Sequence, residues 1–182
     1  MRKTAGALVL VAMAALGQLT PPPKIAGPAG PAKELATGEL RRMDPGFSRW
    51  IWRITIVGTE AEWNQALIGW PRKILRSIPI AFCRRGTGEL FFRATDGMIP
   101  TRRIIHHETG HAVWTGALGR KDRAMVFRIF DQALAGSRPF PTKYSQRNEE
   151  EFFAESFAIY LATGTIPEAP EIARILDKMR TF

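Results

Sequence analysis

The chain has 182 residues, 45% of them apolar and 24% charged, with a single cysteine and a formal charge of +9. These values exclude a disordered or fibrous chain, a disulfide-stapled scaffold and a pair of independently folding domains, and they leave one globular domain with a core of ordinary size. The positive charge is spread over separated pairs such as Arg41–Arg42, Arg84–Arg85 and Arg102–Arg103 without interleaved aromatics, so nucleic acid is not expected as a partner.

In chain order, Arg2 and Lys3 precede an apolar stretch from Ala5 to Leu16 that ends in small residues, the pattern of a secretory signal over residues 1–17 or slightly beyond. The apolar run is shorter than the roughly 20 residues that span a bilayer, so no stable membrane insertion is expected once the signal is cut. A secreted or extracytoplasmic protein is predicted, membrane-anchored if the segment stays uncleaved. Cleavage there would remove two positive charges, Arg2 and Lys3, and lower the net charge to +7. Residues 18–34, which include TPPPKIAGPAGPA from Thr20 to Ala32, read as a flexible Pro/Gly/Ala linker, so the folded domain is expected over residues 35–182.

Trp50 to Val57 (WIWRITIV) predicts a buried strand, and Thr59 with Glu62 predicts a capping box opening a helix that Pro71 interrupts. Two short strands, Ile78 to Arg84 and Glu89 to Thr95, are joined by the glycine-containing turn Arg85-Gly86-Thr87-Gly88. Cys83 lies in the first of them and reads as a small buried hydrophobe. After the Asp96-Gly97 turn and Pro100, helices are predicted from Thr101 to Leu118, with Gly119 as the terminating glycine, then from Lys121 to Ala135, from Asn148 to about Thr163 and from Pro170 to Met179. Strands first and helices afterwards predict an α+β domain.

All three histidines of the chain lie within His106-His107-Glu108-Thr109-Gly110-His111. On a helix His107 and His111 are one turn apart and project from one face, so both imidazoles can meet one ion, while Glu108 beside that face reaches a metal-bound water without being a ligand. His106 points about 100° away. A catalytic zinc takes three protein ligands and keeps one position open. With no histidine downstream, the third ligand must be a carboxylate, and Glu149, Glu150, Glu151 and Glu155 offer candidates in an apolar helix, where Glu151 and Glu155 share a face. Two other roles stay open for the run: Glu151 completing a capping box with Asn148, and an acidic first turn complementing the helix dipole.

The blocks His107-Glu108-xx-His111, Tyr144 and Asn148-Glu149-Glu150-Glu151-Phe152-Phe153-Ala154-Glu155-Ser156-Phe157 resemble the catalytic domain of the anthrax lethal factor-like metallopeptidases, which include secreted bacterial Pro-Pro endopeptidases. The resemblance covers the second half of the chain. It implies a zincin-like fold and one zinc ion held by His107, His111 and Glu151. It further implies Glu108 as the residue that activates the water, Tyr144 as a hydrogen-bond donor to the oxyanion, and Glu155 as the acceptor that orients a ligand histidine. Ala112-Val113-Trp114 departs from the pattern, since such relatives often carry a polar residue at the last of these positions. The expected activity is zinc-dependent endoproteolysis, with a peptide or protein as substrate, for which the exposed edge of the hairpin at residues 78–95 is a candidate pairing strand. The competing expectation is an exported or membrane-anchored surface or binding protein with a structural or inactive zinc site.

Overall fold

A computed structural model describes residues 22–68, 79–95 and 98–180. The signal-like segment 1–17, the interruption expected at Pro71 and the Asp96–Gly97 turn lie outside those residues. The strands are β1 (Lys24–Ala26), β2 (Arg53–Val57), β3 (Ala81–Arg84) and β4 (Glu89–Arg93). The α-helices among the described residues are α1 (Pro31–Arg42), α2 (Pro45–Ser48), α3 (Glu60–Ala66), α4 (Arg102–Gly116), α5 (Arg120–Leu134), α6 (Glu149–Thr163) and α7 (Pro170–Arg180). A single 3₁₀ turn, Tyr144–Gln146, precedes α6. The domain is α+β, as expected, and none of its described helices is long and apolar enough to cross a membrane.

One mixed sheet runs in the order β1-β2-β4-β3, with β1–β2 and β2–β4 parallel and β3–β4 antiparallel, which leaves β3 at an edge. Alternation along the strands divides the side chains between two layers. Ile54, Ile56, Leu90, Phe92, Ala81 and Cys83 face the main core, while Val57, Phe82 and Phe91 meet Trp63 of α3 on the opposite face. The Thr59–Glu62 capping box that opens α3 is formed in both directions.

From residue 22 on, the stretch expected to be a linker is instead part of the fold. Lys24–Ala26 pairs with Arg53–Thr55, and Pro31 occupies the first turn of α1, where its missing N–H costs nothing. Gly27, at φ 106°, passes so close to the Ile56 carbonyl that no side chain fits there. Proline and glycine are used here as geometric requirements rather than as flexibility, and the fold already includes Lys24, ahead of the start expected at residue 35.

Gly119 also differs from expectation. With φ −71° and ψ 170° it is extended, and it opens α5 rather than closing α4. The last carbonyls of α4 are satisfied from the side: the Arg123 guanidinium donates to the oxygens of Trp114 and Thr115 at 2.8 and 3.1 Å. Its face also covers the Trp114 ring, which packs against Phe127 and Phe153. Trp114, the departure from the family pattern, is therefore a core residue.

Candidate metal centre

The Thr101 hydroxyl caps α4 by accepting the Ile104 N–H at 3.3 Å. α4 then crosses α6 at very short range. A Cβ added at Gly110 would stand 2.8 Å from the Ala154 Cα and 3.2 Å from both the Ala154 oxygen and the Phe157 Cβ, so only glycine allows this approach. The contact brings Glu151 and Glu155, which flank Ala154, against the histidines. At the start of α6 Asn148 Oδ1 accepts the Glu151 N–H at 2.9 Å, but the Glu151 carboxylate does not return to the cap. Its backbone serves the helix and its side chain serves the cluster.

His107 Nε2, His111 Nε2 and Glu151 Oε2 converge. The two nitrogens are 3.1 Å apart, and the carboxylate oxygen lies 3.1 Å from the first and 3.4 Å from the second. Tetrahedral zinc with bonds of about 2.0–2.2 Å holds its donors roughly 3.3–3.5 Å apart, so the observed triangle fits within small adjustments. Glu151 Oε2 is buried and, despite the nearby nitrogens, makes no hydrogen bond of acceptable geometry, as expected of a donor atom aimed at a cation. Among the described residues these three form the group whose donor atoms could share one ion.

Each imidazole is held from behind. His107 Nδ1 is 2.9 Å from Glu155 Oε1, whose other oxygen accepts from Arg103 at 2.5 Å. His111 Nδ1 is 3.1 Å from Glu150 Oε1, whose other oxygen accepts from Arg85 at 2.6 Å. A carboxylate on Nδ1 fixes the tautomer that leaves Nε2 free for a metal. The first of these supports is the one the family resemblance implied. The second, Glu150 with Arg85 of the β3–β4 turn, was not anticipated, although its spacing held a clue: Glu150 precedes Glu151 in the first turn of a helix already expected to carry a ligand. Glu108, Glu150, Glu151 and Glu155 thus gather round the two imidazoles with two guanidiniums behind them, a surplus of carboxylates that a proton or a cation at the imidazoles offsets.

His106 has a structural task. Its Nε2 meets Glu39 Oε2 at 3.0 Å in the core, and Glu39 also accepts from Arg102 and Arg42, both at 2.9 Å. The buried Glu39 of α1 therefore fastens the ligand helix to the N-terminal part of the domain.

Burial opposes charge on both ligand imidazoles, yet Glu151 and Glu155 raise His107 to about 9, and Glu150 and Glu151 raise His111 to about 10. Burial would raise the carboxyls of Glu151 and Glu155, but His107 and His111 hold the first at about 2, and His107, the Thr142 hydroxyl and Arg103 hold the second at about 2. Glu108 is buried beside the cluster, and burial raises its proton affinity, against the opposing fields of His111 and His107 and a backbone hydrogen bond from Cys83 on β3. Tyr144 is exposed at the rim, its ring edge-on to His107 with centroids 5.6 Å apart and its outer face covered by the Arg147 guanidinium at 4.0 Å. Partial burial and the charge of Glu151 raise its phenol, which stays protonated at neutral pH. The structure thus brings together all six residues singled out in the sequence: His107, Glu108, His111, Tyr144, Glu151 and Glu155. No protein-family model, curated protein or solved structure matches the chain.

Proposed function

We propose that this protein is an exported, zinc-dependent metalloendopeptidase with a zincin-like fold, related to the lethal factor-like peptidases that its motifs resemble. The observation that carries this reading is the convergence of His107 Nε2, His111 Nε2 and the unpartnered Glu151 Oε2, with the buried Glu108 alongside. Two imidazoles and one carboxylate form a donor set suited to zinc, and three donors leave a coordination position open, which favours a catalytic over a closed structural site. When bound there, zinc would supply a Lewis acid that polarises a carbonyl and makes water nucleophilic near neutral pH.

The remaining chemistry belongs to the chain. Glu108, with its raised proton affinity, accepts the proton of the attacking water and returns it to the leaving amine. Tyr144, protonated and exposed at the mouth, donates to the oxyanion that develops on the scissile carbonyl. Glu155 and Glu150 keep both imidazoles oriented. β3, a sheet edge among the described residues whose Cys83 backbone hydrogen-bonds Glu108, lies beside the centre where an extended peptide would run. The segment at residues 1–17 supports export, and sequencing of the mature N-terminus tests it.

Metal analysis combined with Glu108→Gln tests the enzyme reading. One zinc per chain is expected in both proteins, with peptide cleavage by the variant reduced about 10²- to 10⁴-fold. A purified protein that takes up no zinc, or a variant as active as the parent, would end the proposal.

A further inference from the structure

To stabilise an oxyanion Tyr144 must present its phenol at one point, yet it is 41% exposed and stands on a single 3₁₀ turn rather than on a helix of the core. An exposed side chain changes rotamer within nanoseconds unless its surroundings hold it. Residues 141–147 run between two fixed points. At one end Phe140 packs against Phe130 and Phe152, with ring centroids 5.7 and 6.0 Å away, and at the other Asn148 caps α6.

Between these points a clasp closes on the turn. The fully buried Ser145 hydroxyl accepts the Thr142 N–H at 3.2 Å and donates to the Thr142 carbonyl at 2.6 Å. The Ser145 N–H in turn donates to the Thr142 hydroxyl at 3.1 Å. That hydroxyl has one proton of its own to give, and it donates to the Glu155 carboxylate. The bond it accepts shapes the turn; the bond it donates ties the turn to the metal centre. On the outer side the Arg147 guanidinium covers the Tyr144 ring, and the Arg147 N–H returns to the Tyr144 carbonyl at 3.3 Å.

Glu155 is where the two halves of the site meet. Its Oε1 is 2.9 Å from His107 Nδ1, and the Tyr144 ring stands edge-on to the same imidazole. Tyr144, Ser145, Thr142, Glu155 and His107 therefore form a closed circuit of contacts, in which the ligand ring and the turn of the phenol are both referred to one carboxylate.

We propose that Thr142 is a positioning residue of the reaction centre: its hydroxyl fastens the turn of Tyr144 to Glu155, so that the oxyanion donor and the ligand His107 are aligned together. The inference rests on the peptidase reading for the task of Tyr144, but the alignment itself can be measured without cleavage.

The chain has two tyrosines, Tyr144 and Tyr160, so the full chain labelled with fluorotyrosine gives two fluorine NMR signals. Tyr144→Phe assigns them. Thr142→Val removes the hydroxyl with little change of shape; it should shift or broaden the Tyr144 signal and leave that of Tyr160 in place, which shows that the fold is intact. Thr142→Ser should restore the parent signal. With saturating zinc and a cleavable peptide, Thr142→Val should lower kcat about 10- to 100-fold while KM changes less than about threefold. Thr142→Ser should recover most of the rate. In a Tyr144→Phe background, Thr142→Val should cost less than about twofold more, because the two residues act through one interaction. Should the valine variant not fold, Thr142→Ala removes the same hydroxyl and is read in the same way. An unmoved Tyr144 signal, a kcat like that of the parent, or an equal loss in both backgrounds overturns the proposal. If no peptide is cleaved, the peptidase reading fails on its own, and the fluorine signal decides: a Tyr144 shift reversed by serine supports the clasp, and an unmoved signal refutes it.

Discussion

Gly110→Ala is the most informative single substitution, because it separates the spacing of the metal donors from the stability of the fold. The new methyl would stand 2.8 Å from the Ala154 Cα and 3.2 Å from two further atoms, none of them the end of a flexible side chain. Carbon atoms rest about 3.5–4.0 Å apart, so α4 and α6 must separate by roughly 0.7–1 Å at this level. Metal–donor distances tolerate only about 0.2 Å, and Glu151 travels with α6, so a loss of at least about a hundredfold in zinc affinity is expected. The fold suffers less. Overpacking costs about 1–3 kcal/mol, but exchanging a helical glycine for alanine returns roughly 1 kcal/mol, leaving a net loss of about 0–2 kcal/mol without metal. Chelator competition measures the affinity, and thermal melts with and without zinc measure the stability. At a hundred times its Kd, zinc should stabilise the wild type by about 2.7 kcal/mol and the variant hardly at all. A folded Gly110→Ala protein that binds zinc within about threefold of wild type would refute the claim that this backbone contact sets the donor spacing.

Three further outcomes follow from the geometry. Glu150→Gln, which weakens the support of His111, should lower zinc affinity about 10- to 100-fold, whereas Glu149→Gln in the same turn should leave it unchanged; equal losses would reduce the effect to general charge. Tyr144→Phe should cut kcat by about 10²- to 10³-fold with zinc affinity intact, and a matching loss of zinc would make the tyrosine a structural residue. Without metal, His107 and His111 titrate at about 9 and about 10 against an ordinary value of 6.5, so both rings are protonated at pH 7. Their contribution to metal-free stability is full below about pH 6.5 and fades as pH climbs through 9 to 10. Zinc must displace both protons, so its apparent affinity should rise by up to about a hundredfold per pH unit between 7 and 9 and level off above 10. A zinc titration series across pH checks this, and an affinity already flat from pH 7 would contradict it.

The parts of the site that follow from local periodicity were legible before any coordinates. His107 and His111 share a face because a helix repeats every 3.6 residues, and Glu151 and Glu155 share another for the same reason. The hairpin and the Thr59 cap were equally readable, since turn glycines and capping spacings are local rules. What stayed hidden depends on neighbours distant in sequence. Nothing near Glu39 announces a buried histidine 67 positions later, and nothing near Arg85 announces Glu150. The strand at Lys24–Ala26 was masked by its composition, because proline and glycine look alike whether they loosen a chain or fit a tight crossing. Gly110 inside the histidine motif carried the same ambiguity until Ala154 was seen against it.

Cys83 gives the molecule a property of a different kind. The thiol is buried on the core side of β3, and burial, followed by the fields of Glu108 and Glu150, raises its pKa far above that of a free thiol. The thiolate is the form that attacks disulfides and is oxidised, so a sulfur kept protonated out of reach of solvent is chemically quiet. An unpaired cysteine in an oxidising compartment ordinarily invites cross-linking between molecules. Burial first, and the nearby Glu108 and Glu150 carboxylates second, thus passivate the one sulfur atom that could join two chains.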